Sequence, residues 1–155
     1  MANEIKSKHG SSTALTITLA SLATSTAGVG RQSTMINNLN NAQIVHVFCK
    51  VTTGTSPTAN KSIRFFLLKG DDPSSSNIRS DNAGASDAGL TISTADQIYG
   101  IGTTSTSNVT YRGSFTIYNP GPEWGIFVIH DTGVNLNSTG SNHDIRYVTE
   151  NPEVQ

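Results

Sequence analysis

The sequence predicts an all-β protein: an antiparallel β-sandwich, jelly-roll-like, with about eight strands and little or no helix. First, many short runs alternate apolar and polar residues with a period of two, which is typical of half-buried strands. Second, stretches rich in Gly, Asn, Ser and Thr separate these runs at near-regular spacing. Third, the apolar residues are rich in Val, Ile and Phe while only 14% of residues are charged, a composition that favours strands over helices.

The alternating runs predict the strands in order along the chain: 13–19, 33–37, 43–53, 61–69, 90–93, 97–101, 109–119, 124–131 and 144–149. Turn-forming segments such as STAGVG, NNLNN, TGTSPTAN and NPGPE lie between them. No repeat of 20–50 residues recurs, which argues against a solenoid or a propeller. With 155 residues in all, we predict one β-sandwich domain over residues 13–155 and a flexible, polar N-terminal arm over residues 1–12.

The alternation also assigns side chains to the core, because successive side chains of a strand point to opposite faces. In the strand 43–53 the predicted inward side chains are Val45, Val47, Cys49 and Val51. In the strand 109–119 they are Tyr111, Phe115 and Ile117, and Gly113 on the same face indicates a bulge or a close packing neighbour. Cys49 is the single cysteine, so we interpret it as a small buried hydrophobe and not as a disulfide partner.

The strand 61–69 is apolar on both faces, with Phe66 and Leu68 opposite Ile63, Phe65 and Leu67. A sandwich strand normally exposes one face, so Phe66 and Leu68 in water, together with the outward Phe48 and Ile44, would form a large apolar patch. Either the chain's own loops cover this patch, or copies of the chain associate through it as a closed homo-oligomer. The pattern leads us to expect a homo-oligomer.

A histidine beside an aspartate, His130-Asp131, raises the question of a catalytic pair. On a strand, Trp124, Ile126, Val128 and His130 share one face, whereas Asp131 lies on the other. A catalytic base and its orienting carboxylate must lie within hydrogen-bond reach, which adjacent strand residues do not. We therefore predict that Trp124 is buried and that Asp131 begins a turn, with its side chain bonded to the following backbone.

No other motif predicts a catalytic, cofactor-binding or metal site, so we expect a protein that is not an enzyme. The four histidines His9, His46, His130 and His143 lack metal-binding spacing, and a metal site would have to assemble from distant strands. The stretch DNAGASDAG at 81–89 is interpreted as a solvated turn, with a weak calcium site as the alternative. The sequence has no GxxxxGK, GxGxxG or GxSxG motif.

Charge and hydropathy narrow the possible partners. The net charge is -1 and the basic residues are scattered, so we expect neither a nucleic acid nor a membrane as partner. No run approaches the ~18 apolar residues that span a bilayer. Lys6 and Lys8 precede the stretch ALTITLASL as in a secretory signal, but Thr16 and Thr18 interrupt it. We expect an unprocessed protein made in the cytoplasm.

Several stretches together resemble the small virion proteins of tailed bacteriophages. They are TLASLATSTAGVGRQS, KVTTG, SIRFFLLKGDD, SDNAGASDAG and PEWGIFVIHDTGVNLNSTGSNHDIRYV, which between them cover much of the chain. The pattern of such proteins includes GR(Q/E)S and WGIxVxNxTG. His130 stands where that pattern has asparagine, which again argues against a proton-carrying role.

The resemblance implies a capsid decoration, or cement, protein of the virion. Such a protein binds the major capsid protein on the outer surface of the phage head, often as a trimer, and performs no reaction. The alternative is a carbohydrate- or receptor-binding β-sandwich module of a phage tail. For that alternative, Tyr99, Tyr118 and Tyr147 are the candidate side chains for stacking on sugar rings.

Overall fold

The computed structural model describes residues 4–71, 86–90 and 96–154. A 3-10 helix, Gly140–Asn142, precedes the last strand, and the described residues contain no α-helix and no helix able to cross a membrane. Eleven strands lie in the described residues: β1 (Ile5–His9), β2 (Thr13–Ala14), β3 (Val29–Gln32), β4 (Ile36–Asn37), β5 (Ile44–Thr52), β6 (Lys61–Gly70), β7 (Ala88–Gly89), β8 (Gln97–Thr103), β9 (Thr110–Tyr118), β10 (Glu123–His130) and β11 (Asp144–Val154).

The strands form two antiparallel sheets that pack face to face, which confirms the predicted all-β sandwich. The first sheet has the order β1-β11-β5-β9, and β2 also pairs with β11. The second sheet has the order β7-β3-β10-β6-β8, and β4 also pairs with β10. Between the two sheets lies the main core, to which both contribute.

The strand pairs are nested along the chain, which gives the sandwich its jelly-roll topology. The first strands, β1 and β2, pair with the last, β11. Next inward, β3 and β4 pair with β10, then β5 with β9, and finally β6 with β8. One long antiparallel ribbon folded on itself produces this nesting and distributes eight strand positions over two sheets.

The predicted core residues of β5 and β9 do face inward. Val45, Val47, Cys49 and Val51 are buried against β6 and β10. Gly113 is a close packing position, because a Cβ there would lie 2.7 Å from Cε1 of Tyr99. The Tyr99 ring stacks on Phe115, with 5.2 Å between the ring centroids. The glycine therefore makes room for an aromatic side chain of β8, as one of the two sequence interpretations predicted.

The outer face of the second sheet is covered by the chain itself. Phe66 and Leu68 are buried together with Phe127 and Ile129 of β10, and the covering side chains are Met35, Ala88 and Leu90. Asp87 fixes this cover: its Oδ1 lies 2.5 Å from Nε of Arg31 on β3. The sequence offered two ways to cover this patch, the chain's own segments or another copy of the chain, and the structure shows the first. The predicted apolar patch of Phe66 and Leu68 is therefore absent, and with it the physical argument for association through that face.

Within the predicted arm 1–12, residues Ile5–His9 form strand β1, which the sequence did not predict. All five of its side chains are exposed, so the sequence shows no buried face to detect. β1 is held in place by the backbone ladder to β11 and by the ion pair Lys8–Glu153 at 2.9 Å.

In the predicted strand 13–19, only Thr13–Ala14 pairs with another strand, although Leu15 and Leu19 are buried. The predicted strand 90–93 lies largely outside the described residues.

Trp124 provides a test of the core. Its side chain is 1% exposed, packs with Ile126 and Val128, and meets the ring of Tyr147 edge-on at 5.2 Å. Replacing it with alanine removes this contact and leaves a cavity, so we expect Trp124→Ala to lower the free energy of unfolding by ~3–5 kcal/mol in urea denaturation. Tyr118→Ala, at an exposed aromatic, is the control and should cost less than ~0.5 kcal/mol. A loss below ~1 kcal/mol for Trp124→Ala would contradict its role in the core.

Candidate functional site

His130 is a buried structural residue at the end of β10. Its Nε2 lies 2.9 Å from the carbonyl oxygen of Leu22, and its Nδ1 lies 3.0 Å from the hydroxyl of Thr132. Because a carbonyl only accepts, Nε2 carries a proton and donates it to Leu22. Burial lowers the pKa of His130 below 6.5, which favours the neutral ring. Both ring nitrogens are engaged inside the protein, so His130 is not positioned to act on a substrate.

Asp131 points away from His130, as the strand geometry predicts. Its Oδ1 accepts a hydrogen bond of 2.8 Å from the backbone N–H of Ser62, at the start of β6. The predicted bond to the following backbone is therefore wrong: the carboxylate ties the end of β10 to the neighbouring strand. The turn itself is confirmed by Gly133, whose φ of 82° favours glycine. Together these contacts exclude a catalytic His130-Asp131 pair.

Two other histidines meet a carboxylate on the first sheet. His9 of β1, His46 of β5 and Glu150 of β11 each offer one ligand atom, and these atoms lie within 4.8 Å of one another. Nε2 of His46 is 2.6 Å from Oε2 of Glu150, and Nδ1 of His9 is 4.0 Å from the same oxygen. Strand register explains the meeting, since His9 lies directly opposite Glu150. The sequence left a metal site from distant strands possible but found no spacing that supports one.

Neighbouring hydroxyl groups orient this cluster. The hydroxyl of Ser7 donates to Oε1 of Glu150, and Nδ1 of His46 lies 3.2 Å from the hydroxyl of Thr116 on β9. The hydrogen bonds from Ser7 and then from His46 lower the pKa of Glu150 below 4.5. Glu150 is therefore ionised at neutral pH and faces two imidazoles. The sequence signal for this site was slight: His46 lies on the outward face of its strand, but His9 fell within the predicted arm.

The outer face of the first sheet, which we call the open face, carries exposed aromatic side chains. Phe48 is 48% exposed and Tyr118 is 71% exposed, with half-buried Ile44 and Val148 on the same face. Beside Phe48 is a groove of about 340 Å³ whose charged lining comprises Lys50, Arg112, Asp144 and Arg146. Arg146 is held in place because its Nε donates to the hydroxyl of Ser12 at 3.0 Å. Aromatic and arginine side chains of this kind are enriched at protein interfaces.

A second recess lies at one end of the sandwich. It has a volume of about 530 Å³, and its lining includes Asn37, Asn38, Leu39, Asn41, Gln43 and Asn119. The Asn38 side chain is used within the protein, since its Nδ2 donates to the carbonyls of Ala42 and Gly121 at 3.1 and 2.9 Å. Leu39 is 78% exposed at this end. The lining therefore combines the remaining amide side chains with apolar ones, Leu39, Ala42 and Pro122.

The other residues that the sequence singled out lie in different surroundings and do not form one site. Of the three tyrosines considered for stacking on sugars, Tyr99 and Tyr147 pack against the core and Tyr118 is exposed. Cys49 is buried as predicted, and burial raises the pKa of its thiol to about 11. In the stretch 81–89, Asp87 contacts Arg31 and the backbone N–H of Ala23. Residues 81–85 of that stretch lie outside the described residues.

Comparison with protein-family models and with curated proteins finds no match for this chain.

The buried His130 predicts a pH-dependent stability. Because its folded pKa lies below 6.5, the unfolded chain takes up the proton first as the pH falls. The contribution of the neutral His130 ring to the free energy of unfolding is fully present above about pH 6.5. As the pH falls below that value, this contribution decreases by at most about 1.4 kcal/mol per pH unit. His143, whose pKa is lowered by burial too, acts in the same direction.

We expect His130→Asn to reduce the fall in unfolding free energy between pH 7.5 and pH 5.5, measured by urea denaturation. Asparagine carries no titrating group, so the variant lacks this proton-binding site. His143 should leave a residual pH dependence in the variant. If the unfolding free energy fell as much in His130→Asn as in the unaltered protein, the proton responsible for the pH dependence would bind to another group.

Proposed function

We propose that this chain is a non-enzymatic virion structural protein of a tailed bacteriophage, a decoration or cement protein of the head. In this role it binds the major capsid protein on the outer head surface and stabilises the joints between capsid subunits. Synthesis takes place in the host cytoplasm and the final location is the virion. The sequence resemblance supports the phage assignment, and the jelly-roll fold is compatible with it, although a fold alone does not imply a function.

The open face is the observation that carries this proposal. The second sheet is closed by the chain's own segments, whereas the first sheet presents Phe48 and Tyr118 to solvent. Exposed aromatics beside Arg112 and Arg146 supply the residue types that dominate binding energy at interfaces. A cement protein needs such a binding surface and no reaction centre. The partner that fits best is a protein surface with apolar pockets and an acidic rim, because three cations and one carboxylate surround Phe48.

A homo-oligomer, with a trimer favoured, completes the proposal and rests on the resemblance. Trimers let one decorating molecule bridge several capsid subunits at once. A standard interface buries about 800 Å² on each partner, so each protomer can bind the capsid through part of its surface and its neighbours through another part. Phe66 and Leu68 do not contribute to either interface, because they are buried within the chain.

Reconstitution on phage heads tests the proposal. Heads lacking the chain, made by deleting its gene, are mixed with purified protein and sedimented, and the bound chain is quantified by mass spectrometry. We expect saturable binding, and we expect Phe48→Asp to weaken it about thirtyfold, which corresponds to the ~2 kcal/mol of an interface hot spot. The charge is placed on an exposed residue, so the fold should survive, and circular dichroism checks this.

Leu39→Asp is the matched control, since Leu39 is an exposed apolar residue that lines the end recess and not the groove beside Phe48. This variant should bind heads as tightly as the unaltered protein. Absence of binding to heads would overturn the decoration proposal. If both variants weakened binding to heads equally, the open face would not be the capsid-binding surface.

The second candidate function is a carbohydrate- or receptor-binding module of a phage tail. The end recess favours it, because its amide side chains can hydrogen-bond sugar hydroxyls and Tyr118 lies one residue before its lining residue Asn119. Antiparallel sandwiches and jelly rolls include lectin domains. Against it, the Asn38 amide is already bonded within the loop.

A glycan array distinguishes the two functions. If the chain is a decoration protein, we expect no glycan to bind above background. A specific glycan whose binding is lost in Asn41→Ala, a change within the recess, would favour the tail-module function instead. Phe48→Ala serves as the control outside the recess and should leave any such binding unchanged.

A further inference from the structure

We propose that His9, His46 and Glu150 form a binding site for a divalent transition-metal ion, with Zn²⁺ the best match, and that the bound ion fastens strand β1 to the first sheet. Two imidazoles and one carboxylate are a ligand set that zinc uses in proteins, with a fourth position left to water. The three residues come from three adjacent strands, β1, β5 and β11. This inference is independent of the proposed virion function.

The spacing of the ligand atoms suits one ion. Zinc lies about 2.0–2.1 Å from nitrogen and oxygen ligands, which places tetrahedral ligand atoms about 3.3 Å apart. Oε2 of Glu150 lies 2.6 Å from Nε2 of His46 and 4.0 Å from Nδ1 of His9, values that lie on either side of that separation. The His9 and His46 rings are already neighbours, with centroids 5.9 Å apart. To close the site, the ring of the exposed His9 must turn towards Glu150, and Nε2 of His46 and Oε2 of Glu150 must move apart to admit the ion.

The surroundings of the cluster are those of a metal site. Ligating histidines usually donate their second ring N–H to a fixed oxygen, which selects the tautomer and the ring orientation. His46 has such a partner in the hydroxyl of Thr116, 3.2 Å from Nδ1. Its Nε2, which is hydrogen-bonded to Glu150 at 2.6 Å, would exchange that proton for the metal ion. The hydroxyl of Ser7 holds the second carboxylate oxygen of Glu150. The nearby Lys8 is engaged elsewhere, since its ammonium group pairs with Glu153.

The consequence of binding lies in β1. This strand is exposed on every side chain and is attached to the sheet through its ladder with β11 alone among the described strands. An ion shared by His9 and by two residues of the central strands cross-links that edge to the sheet. Because zinc would bind the paired strand and not the detached one, occupancy favours the ordered N-terminus by mass action.

Isothermal titration calorimetry of the untagged, full-length chain with ZnCl₂ tests the site. We expect one zinc per chain. Loss of an outer-sphere partner typically weakens metal binding about 10–100-fold, so Thr116→Val should fall in that range and His9→Ala should lose at least as much. His9 is an exposed edge residue, so its replacement leaves the core untouched. Mg²⁺, which prefers oxygen ligands, should not bind at the same concentration.

Glu150→Gln and Glu153→Gln form a matched pair for this experiment. Both remove one carboxylate from β11, but only Glu150 faces the two histidines. Zinc affinity should fall in the first variant and stay unchanged in the second. A cobalt titration adds a spectroscopic readout, because Co²⁺ in a tetrahedral site absorbs visible light and His9→Ala should abolish that band.

Hydrogen exchange measures the effect on β1. Amides of residues 5–9 should exchange more slowly with saturating zinc in the unaltered protein and at the same rate with or without zinc in His9→Ala. A purely structural histidine cluster would show no dependence on zinc. The proposal is overturned if zinc produces no saturable binding, or if His9→Ala and Glu150→Gln bind zinc as tightly as the unaltered protein.

Discussion

Strand β10 is buried along its whole length, and the rest of the sandwich follows from that burial. All eight of its residues are buried, so each backbone polar group needs a partner within the protein. β6 pairs along one edge, while β3 and β4 pair along the other. Between β3 and β4, Ser33 bridges the gap: its N–H donates to the carbonyl of Ile126 at 2.8 Å and its Oγ accepts from the N–H of Ile126 at 3.0 Å.

Because β10 is buried on both faces, the outer face of the second sheet is covered, whereas that of the first sheet is exposed. Trp124 and Val128 join the main core, whereas Phe127 and Ile129 point outward and need a cover, which Met35 and other side chains of the chain supply. Segments of the chain itself thereby cover these outward side chains of the second sheet. The first sheet has no comparable cover among the described residues, and Phe48 and Tyr118 stay exposed on it. The surface proposed to bind a capsid and the cluster proposed to bind zinc both lie on this first sheet.

The interior polar groups contribute to the stability of the fold. His130 forms hydrogen bonds with Leu22 and Thr132. The bond to Leu22 joins the end of β10 to the segment between β2 and β3. Asp131 caps the start of β6, and the thiol of Cys49 donates to the carbonyl of Gly113. A buried polar group without a partner is costly, so these contacts offset the desolvation of each group.

The fold class, the inward residues of β5, β9 and β10, and the opposite directions of His130 and Asp131 could be predicted from the amino-acid sequence alone. These features are local, because the period of two fixes which side chains share a face. The sequence did not reveal β1, whose exposed side chains carry no pattern, nor the cover over Phe66, which comes from segments distant in the chain. The meeting of His9, His46 and Glu150 depends on tertiary structure, because strand register across β1, β11 and β5 brings together residues that are far apart in the sequence.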